Sequence, residues 1–152
     1  MSRRRFLAII MSVFMILSLL PATVFAETSK ALDGQLKIQG LAAAGTVLSA
    51  DLKGIKTEGV TEDSVSYQWF RKTSDDEKKE QQGEKPELKS LSKEKTYTIV
   101  KDDVDSKIVL TITGLEDKGF SGSLTATTAT VAETVEAAEQ NQTKTELNTE
   151  DM

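Results

Sequence analysis

Cysteine and histidine are both missing from these 152 residues, and the two absences remove most ready-made chemistry. Without them the usual zinc sites, histidine-assisted serine catalysis and thiol nucleophiles are excluded. No disulfide can staple the fold, and no lipid can be attached to a cysteine. Positive charge is also short: 19 Lys and Arg face 24 Asp and Glu, which leaves no electrostatic case for nucleic acid or for an anionic membrane surface. What remains is carboxylate, lysine, serine and threonine chemistry. A carboxylate-based hydrolase would need two acids held across a cleft, one of them in an apolar pocket that raises its pKa. The acids here sit in charged turns. The expectation is a protein that is not an enzyme and uses no cofactor.

The first 26 residues read as a secretory signal peptide. Arg3, Arg4 and Arg5 form a basic start, Phe6 to Leu20 is an apolar run, and Pro21 to Ala26 ends in small residues before a cut at Glu27. Membrane association is expected only through this leader if it stays uncleaved. Its removal takes three arginines and no acid, which moves the net charge from −5 to −8. Glu27 to Asp33 is a short polar linker. Residues 133–152 hold only Val135 and Leu147 as large aliphatics and no aromatic ring, so they are expected to form a disordered acidic tail or linker, with at most a helical turn at Val135 to Glu139.

Residues 34–132 have a period of two. Leu36 and Ile38; Leu48, Ala50 and Leu52; Val65, Tyr67 and Trp69; Tyr97 and Ile99; Ile108, Leu110 and Ile112 each alternate with polar neighbours, as half-buried strands do. Gly40, Gly45, Gly54, Gly59, Gly83, Gly114, Gly119 and Gly122 punctuate these runs. Short strands with regular turn signals indicate an all-β sandwich or barrel. Thr73 to Ser92 breaks the pattern with dense charge. It reads as a loop or ragged edge strand rather than a helical turn, because Pro86 opposes a long helix.

The only tryptophan, Trp69, lies in V-S-Y-Q-W-F-R-K, Val65 to Lys72. Alternation places Val65, Tyr67 and Trp69 on one face and Phe70 on the other. The inward set, with Tyr97, Ile99, Ile108, Leu110 and Ile112, is the expected core, and Phe70 is the exposed contact candidate. Two acidic clusters, Asp102 with Asp103 and Asp105, and Asp75 with Asp76 and Glu77, are calcium candidates. Neither has EF-hand spacing, and solvated turns are the simpler reading.

The order of the motifs resembles the immunoglobulin-like repeat of bacterial surface and secreted proteins. Tyr67-Gln68-Trp69, Thr96-Tyr97-Thr98, Asp103-Val104-Asp105 and Gly119-Phe120-Ser121-Gly122 stand where that family has Y-x-W, T-Y-T, a glycine-containing turn and Gly-Tyr-x-Gly. Asp105 replaces the usual glycine, which matters if that turn needs positive φ. The resemblance implies an immunoglobulin-like two-sheet β-sandwich of about seven strands, with the tryptophan at its centre. It also implies a structural spacer or interaction domain of an exported surface protein. The alternative is a carbohydrate- or protein-binding adhesin domain, with cell-wall glycan or an extracellular protein as partner and an exposed patch at one end.

Overall fold

The structure, a computed structural model, describes residues 28–150; the expected leader lies outside the described residues. Nine strands are described: β1 (Lys30–Ala31), β2 (Lys37–Gln39), β3 (Val47–Asp51), β4 (Val65–Lys72), β5 (Lys89–Ser92), β6 (Thr96–Thr98), β7 (Lys107–Gly114), β8 (Phe120–Ser121) and β9 (Ser123–Thr127). Two helices join them, α1 (Ser74–Gln81) and α2 (Val135–Glu150). The strands form an antiparallel sheet β2-β3-β6, an antiparallel sheet β5-β4-β7-β9 and a parallel pair β1-β8. The all-β reading therefore holds. The strand number exceeds the expected seven because the two-residue β1 and β8 pair with each other.

The alternation read in the sequence sets the core. Trp69, Leu48, Ile99, Ile108, Leu110 and Ile112 are fully buried, and Val65 and Tyr67 nearly so. Residues of both larger sheets belong to one hydrophobic cluster, with Tyr97 packed half-buried against it. Burying these branched and aromatic side chains at roughly 1.5–3 kcal/mol each is the main favourable term for a chain that has no cross-links.

β7 is the spine of the larger sheet, paired with β4 over eight residues and with β9 over five. The segment before β2 meets one end of it, and the segment that leads into α2 meets the other. Lys30 and Leu32 donate to the carbonyls of Gly119 and Ser121 beside the Gly114 end, while Val131 donates to Ser106 at the Lys107 end. Eight antiparallel residues span about 24 Å. Gly114 is needed where β8 folds back on β7, since a Cβ there would lie 2.7 Å from the Ser121 nitrogen.

Two expectations are corrected. The charged segment after β4 begins as a helix, because Thr73 and Asp76 cap it reciprocally: the Thr73 amide and hydroxyl both donate to Asp76 at 2.8 Å. The helix stops at Gln81, ahead of Pro86, and the chain continues into the edge strand β5. Residues 133–152 hold a helix where disorder was expected. Thr134 accepts from the Ala137 amide at its start, and Ala138 is buried against Ala43 and Ala132. The buried part of that contact is alanine, the best helix former, with Leu41 and Ala137 packed against it. Among the described residues no helix is long and apolar enough to cross a membrane.

Candidate functional site

The residues singled out in the sequence converge on the end of the core near Trp69. The indole Nε1 donates to the Glu94 carbonyl at 2.8 Å, and the ring stacks on Tyr97 with centroids 6.0 Å apart and planes at 29°. Because Tyr97 lies on β6 and Trp69 on β4, this stack bridges the two larger sheets. At the other end of β4, Tyr67 donates to the Glu62 carbonyl at 3.1 Å. Burial, and secondarily the Glu62 carboxylate, raises the Tyr67 pKa.

Arg71 follows Trp69 at the same inward parity, and an inward arginine requires a counter-charge. Asp103 supplies it. Its Oδ1 accepts from Arg71 Nε at 2.6 Å and lies 2.6 Å from Arg71 Nη2. Its Oδ2 accepts from the Tyr97 hydroxyl at 2.6 Å and the Val100 amide at 3.0 Å. The carboxylate side chain is 0% exposed and the arginine side chain 13%. Burial first, then the hydrogen bond and charge of Asp103, push the Tyr97 phenol far above its ordinary range. The cluster ties β4 to the turn that joins the two sheets.

This arrangement separates the three calcium candidates of the Asp102, Asp103 and Asp105 turn. Four donor atoms occupy the two oxygens of Asp103, which uses up the acceptor capacity of a carboxylate. Asp102 and Asp105 are exposed. Asp105 has φ 65°, the one positive value outside glycine among the described residues, so the turn does demand the conformation for which glycine would be usual. The second cluster is also engaged. Asp76 caps α1, and the pairs Glu77–Lys107 and Glu80–Lys72 hold the helix beside the sheet. Among the described residues no group of three or more acidic side chains could hold a metal ion.

Phe70 is half-buried on the outer face, beside Val109 in register, which is buried outside the main cluster. It is not the open platform that a ligand-binding ring would form. On one side of it the outer face carries hydroxyls and an amide, with Thr111 and Thr125 3.2 Å apart, Thr113 and Ser123 3.0 Å apart and Gln68 donating to Ser90 at 2.6 Å; on the other, Lys72 and Lys107 pair with Glu80 and Glu77 of α1. A concave feature lies elsewhere, a slot of about 480 Å³ between β2 and β9 with α2 at its side. A shallower hollow of about 370 Å³ lies by Tyr67, Glu62 and Lys95.

The sequence-predicted core residues thus come together, while the acidic candidates separate into a buried clasp and a helix cap. Arg71 was missed, although its parity with Trp69 was the available signal. No protein-family model matches this chain, and neither does any curated protein.

Proposed function

We propose that this chain is an exported, non-enzymatic immunoglobulin-like module that acts as a structural spacer or interaction domain of a bacterial surface or extracellular protein. The observation that carries the reading is the pair of antiparallel sheets closed on one core, with the tryptophan of the central strand β4 at its middle. The strand order supports the immunoglobulin-like assignment. With β2, β3, β4, β5, β6, β7 and β9 taken as strands A, B, C, C′, E, F and G, the sheets read A-B-E and C′-C-F-G, in keeping with a variable-type arrangement in which the buried tryptophan lies on strand C.

The packing supports a scaffold role. Among the described residues no buried side-chain nitrogen or oxygen lacks a hydrogen-bond partner, so the polar groups inside are engaged in the fold instead of facing a substrate. The test has two parts. Expressed in a Gram-positive host, the chain is expected in the culture medium with Glu27 as its first residue. On a glycan array and in a cell-wall pull-down, the purified protein is expected to show no saturable binding. Saturable glycan binding would replace the spacer reading with the adhesin one.

A further inference from the structure

Asp33 is the one aspartate followed by glycine in this sequence, and its side chain is folded back on that glycine. The Gly34 amide nitrogen donates to Asp33 Oδ1 at 2.8 Å. Asp51, by comparison, accepts from the amide two residues on, Lys53, at 3.0 Å. Asp33 is exposed, so water reaches the same carboxyl.

The surrounding main chain holds this contact in place without using the Gly34 nitrogen. Asp33 donates to Thr57 Oγ1 at 2.7 Å and accepts from the Lys56 amide at 2.8 Å, and Gln35 donates to the Gly54 carbonyl at 2.9 Å. The Lys56 and Gln35 bonds flank the antiparallel bridge Gly34↔Ile55, which makes Gly34 a non-hydrogen-bonded position whose N–H points away from Ile55. Glycine is also required there. Gly34 has φ 107°, and a Cβ on it would lie 2.4 Å from the Gly54 oxygen and 2.6 Å from the Lys56 nitrogen.

From this geometry we infer that Asp33 and Gly34 form a self-modification site, at which the Gly34 nitrogen closes on the Asp33 side chain to a succinimide that opens to isoaspartate. The reaction is a dehydration followed by a hydration. The N–Cγ bond forms, the Cγ–O bond breaks, and the carboxyl hydroxyl leaves with the amide proton as water; nothing is oxidised or reduced. Water then opens the imide. Attack at Cγ restores aspartate, while attack at the α-carbonyl leaves a main chain that runs through the side-chain carbon and is one methylene longer. Holding the reacting groups in contact replaces the search that a flexible chain must make. Conversion turns the carbonyl that accepts from Lys56 into a free carboxylate and lengthens the chain between the buried anchors Leu32 and Leu36. The inference stands apart from the proposed function, and its failure would leave that reading untouched.

The test is incubation of the purified chain near neutral pH in water enriched in heavy oxygen, followed by peptide mapping with mass spectrometry. Heavy oxygen is expected at Asp33, together with a succinimide form lighter by one water and an isoaspartate form resolved by chromatography, while the other aspartates stay unlabelled. Label should enter the folded chain at least as fast as it enters the synthetic peptide Ala-Leu-Asp-Gly-Gln-Leu. Asp33→Glu, which would have to close a larger ring, should cut labelling at this position about tenfold or more, with a thermal midpoint close to that of the parent. Should the variant fail to fold, the comparison of the unmodified chain with the peptide decides by itself. No label at Asp33, equal labelling of other aspartates, label entering the peptide or the urea-unfolded chain well ahead of the folded one, or undiminished labelling of folded Asp33→Glu would each overturn the inference.

Discussion

Two short acidic runs, Asp75-Asp76-Glu77 and Asp102-Asp103-Val104-Asp105, look alike in sequence and differ in role. The first lies on α1, which buries no residue. There, Asp76 accepts from the backbone and hydroxyl of Thr73, and those bonds hold its carboxyl below the ordinary aspartate range. The second places Asp103 wholly inside, between Arg71 and Tyr97. The difference lies in their neighbours in space. One run follows a helix cap, while the other meets an inward arginine 32 residues away.

If that contrast is right, the largest effect comes from Asp103→Ala. It strands a mostly buried guanidinium and the Tyr97 hydroxyl, and should cost about 3–5 kcal/mol in urea denaturation. That equals the range expected for Trp69→Ala, which removes the ring joining the two sheets. A cost below about 1 kcal/mol for Asp103→Ala would place the pair among surface salt bridges and remove the contrast.

Asp105 provides the next test. A β-branched residue at φ 65° is strained, so Asp105→Val should lose about 1–2 kcal/mol. Asp105→Gly should be nearly neutral, because relief of the left-handed backbone is offset by the extra freedom of the unfolded chain. Equal stabilities for the two variants would show that the turn readily takes another conformation.

On the surface side, Asp76→Ala removes half of the capping box and should cost about 1 kcal/mol, with amide exchange accelerating in α1 and not in β4 or β7. The smallest effect is acid sensitivity of the same helix. Asp76 is lowered by its bonds from Thr73 and Glu77 by its bond from Lys107, relative to ordinary values of 3.8 and 4.5. Folded-state values below the unfolded ones mean that the contribution is complete above those ordinary values and is lost as the pH falls below them. Between pH 6 and pH 3, α1 amides are expected to exchange faster before the Trp69 emission changes. Simultaneous loss would mean that α1 and the core open as one unit.

How far the sequence could be read followed the range of each interaction. Alternation along Val65 to Trp69 and Ile108 to Ile112 is a local signal, and it identified the inward faces because a strand turns successive side chains to opposite sides. The α1 cap was also local, a Thr and an Asp three residues apart, but a run this dense in charge and followed by Pro86 suits a solvated loop as well as a short helix. For α2 the local signal reached only a helical turn at Val135 to Glu139, because its hold on the domain is Ala138 on Ala43 and Ala132, residues with little apolar area apiece. Arg71 and Asp103 were legible separately, one by parity and one by type, but their pairing was not.

By itself the sequence determined the chemistry available and the β-rich class. Without cysteine or histidine the fold is held by packing and hydrogen bonds, and strand periodicity decides what is packed. Only the tertiary structure decided which of the similar acids is buried and that Phe70 lies half-covered beside Val109. Those outcomes depend on which strands become neighbours, and strand neighbours are chosen by long-range pairing across the two sheets, which no short window of residues encodes.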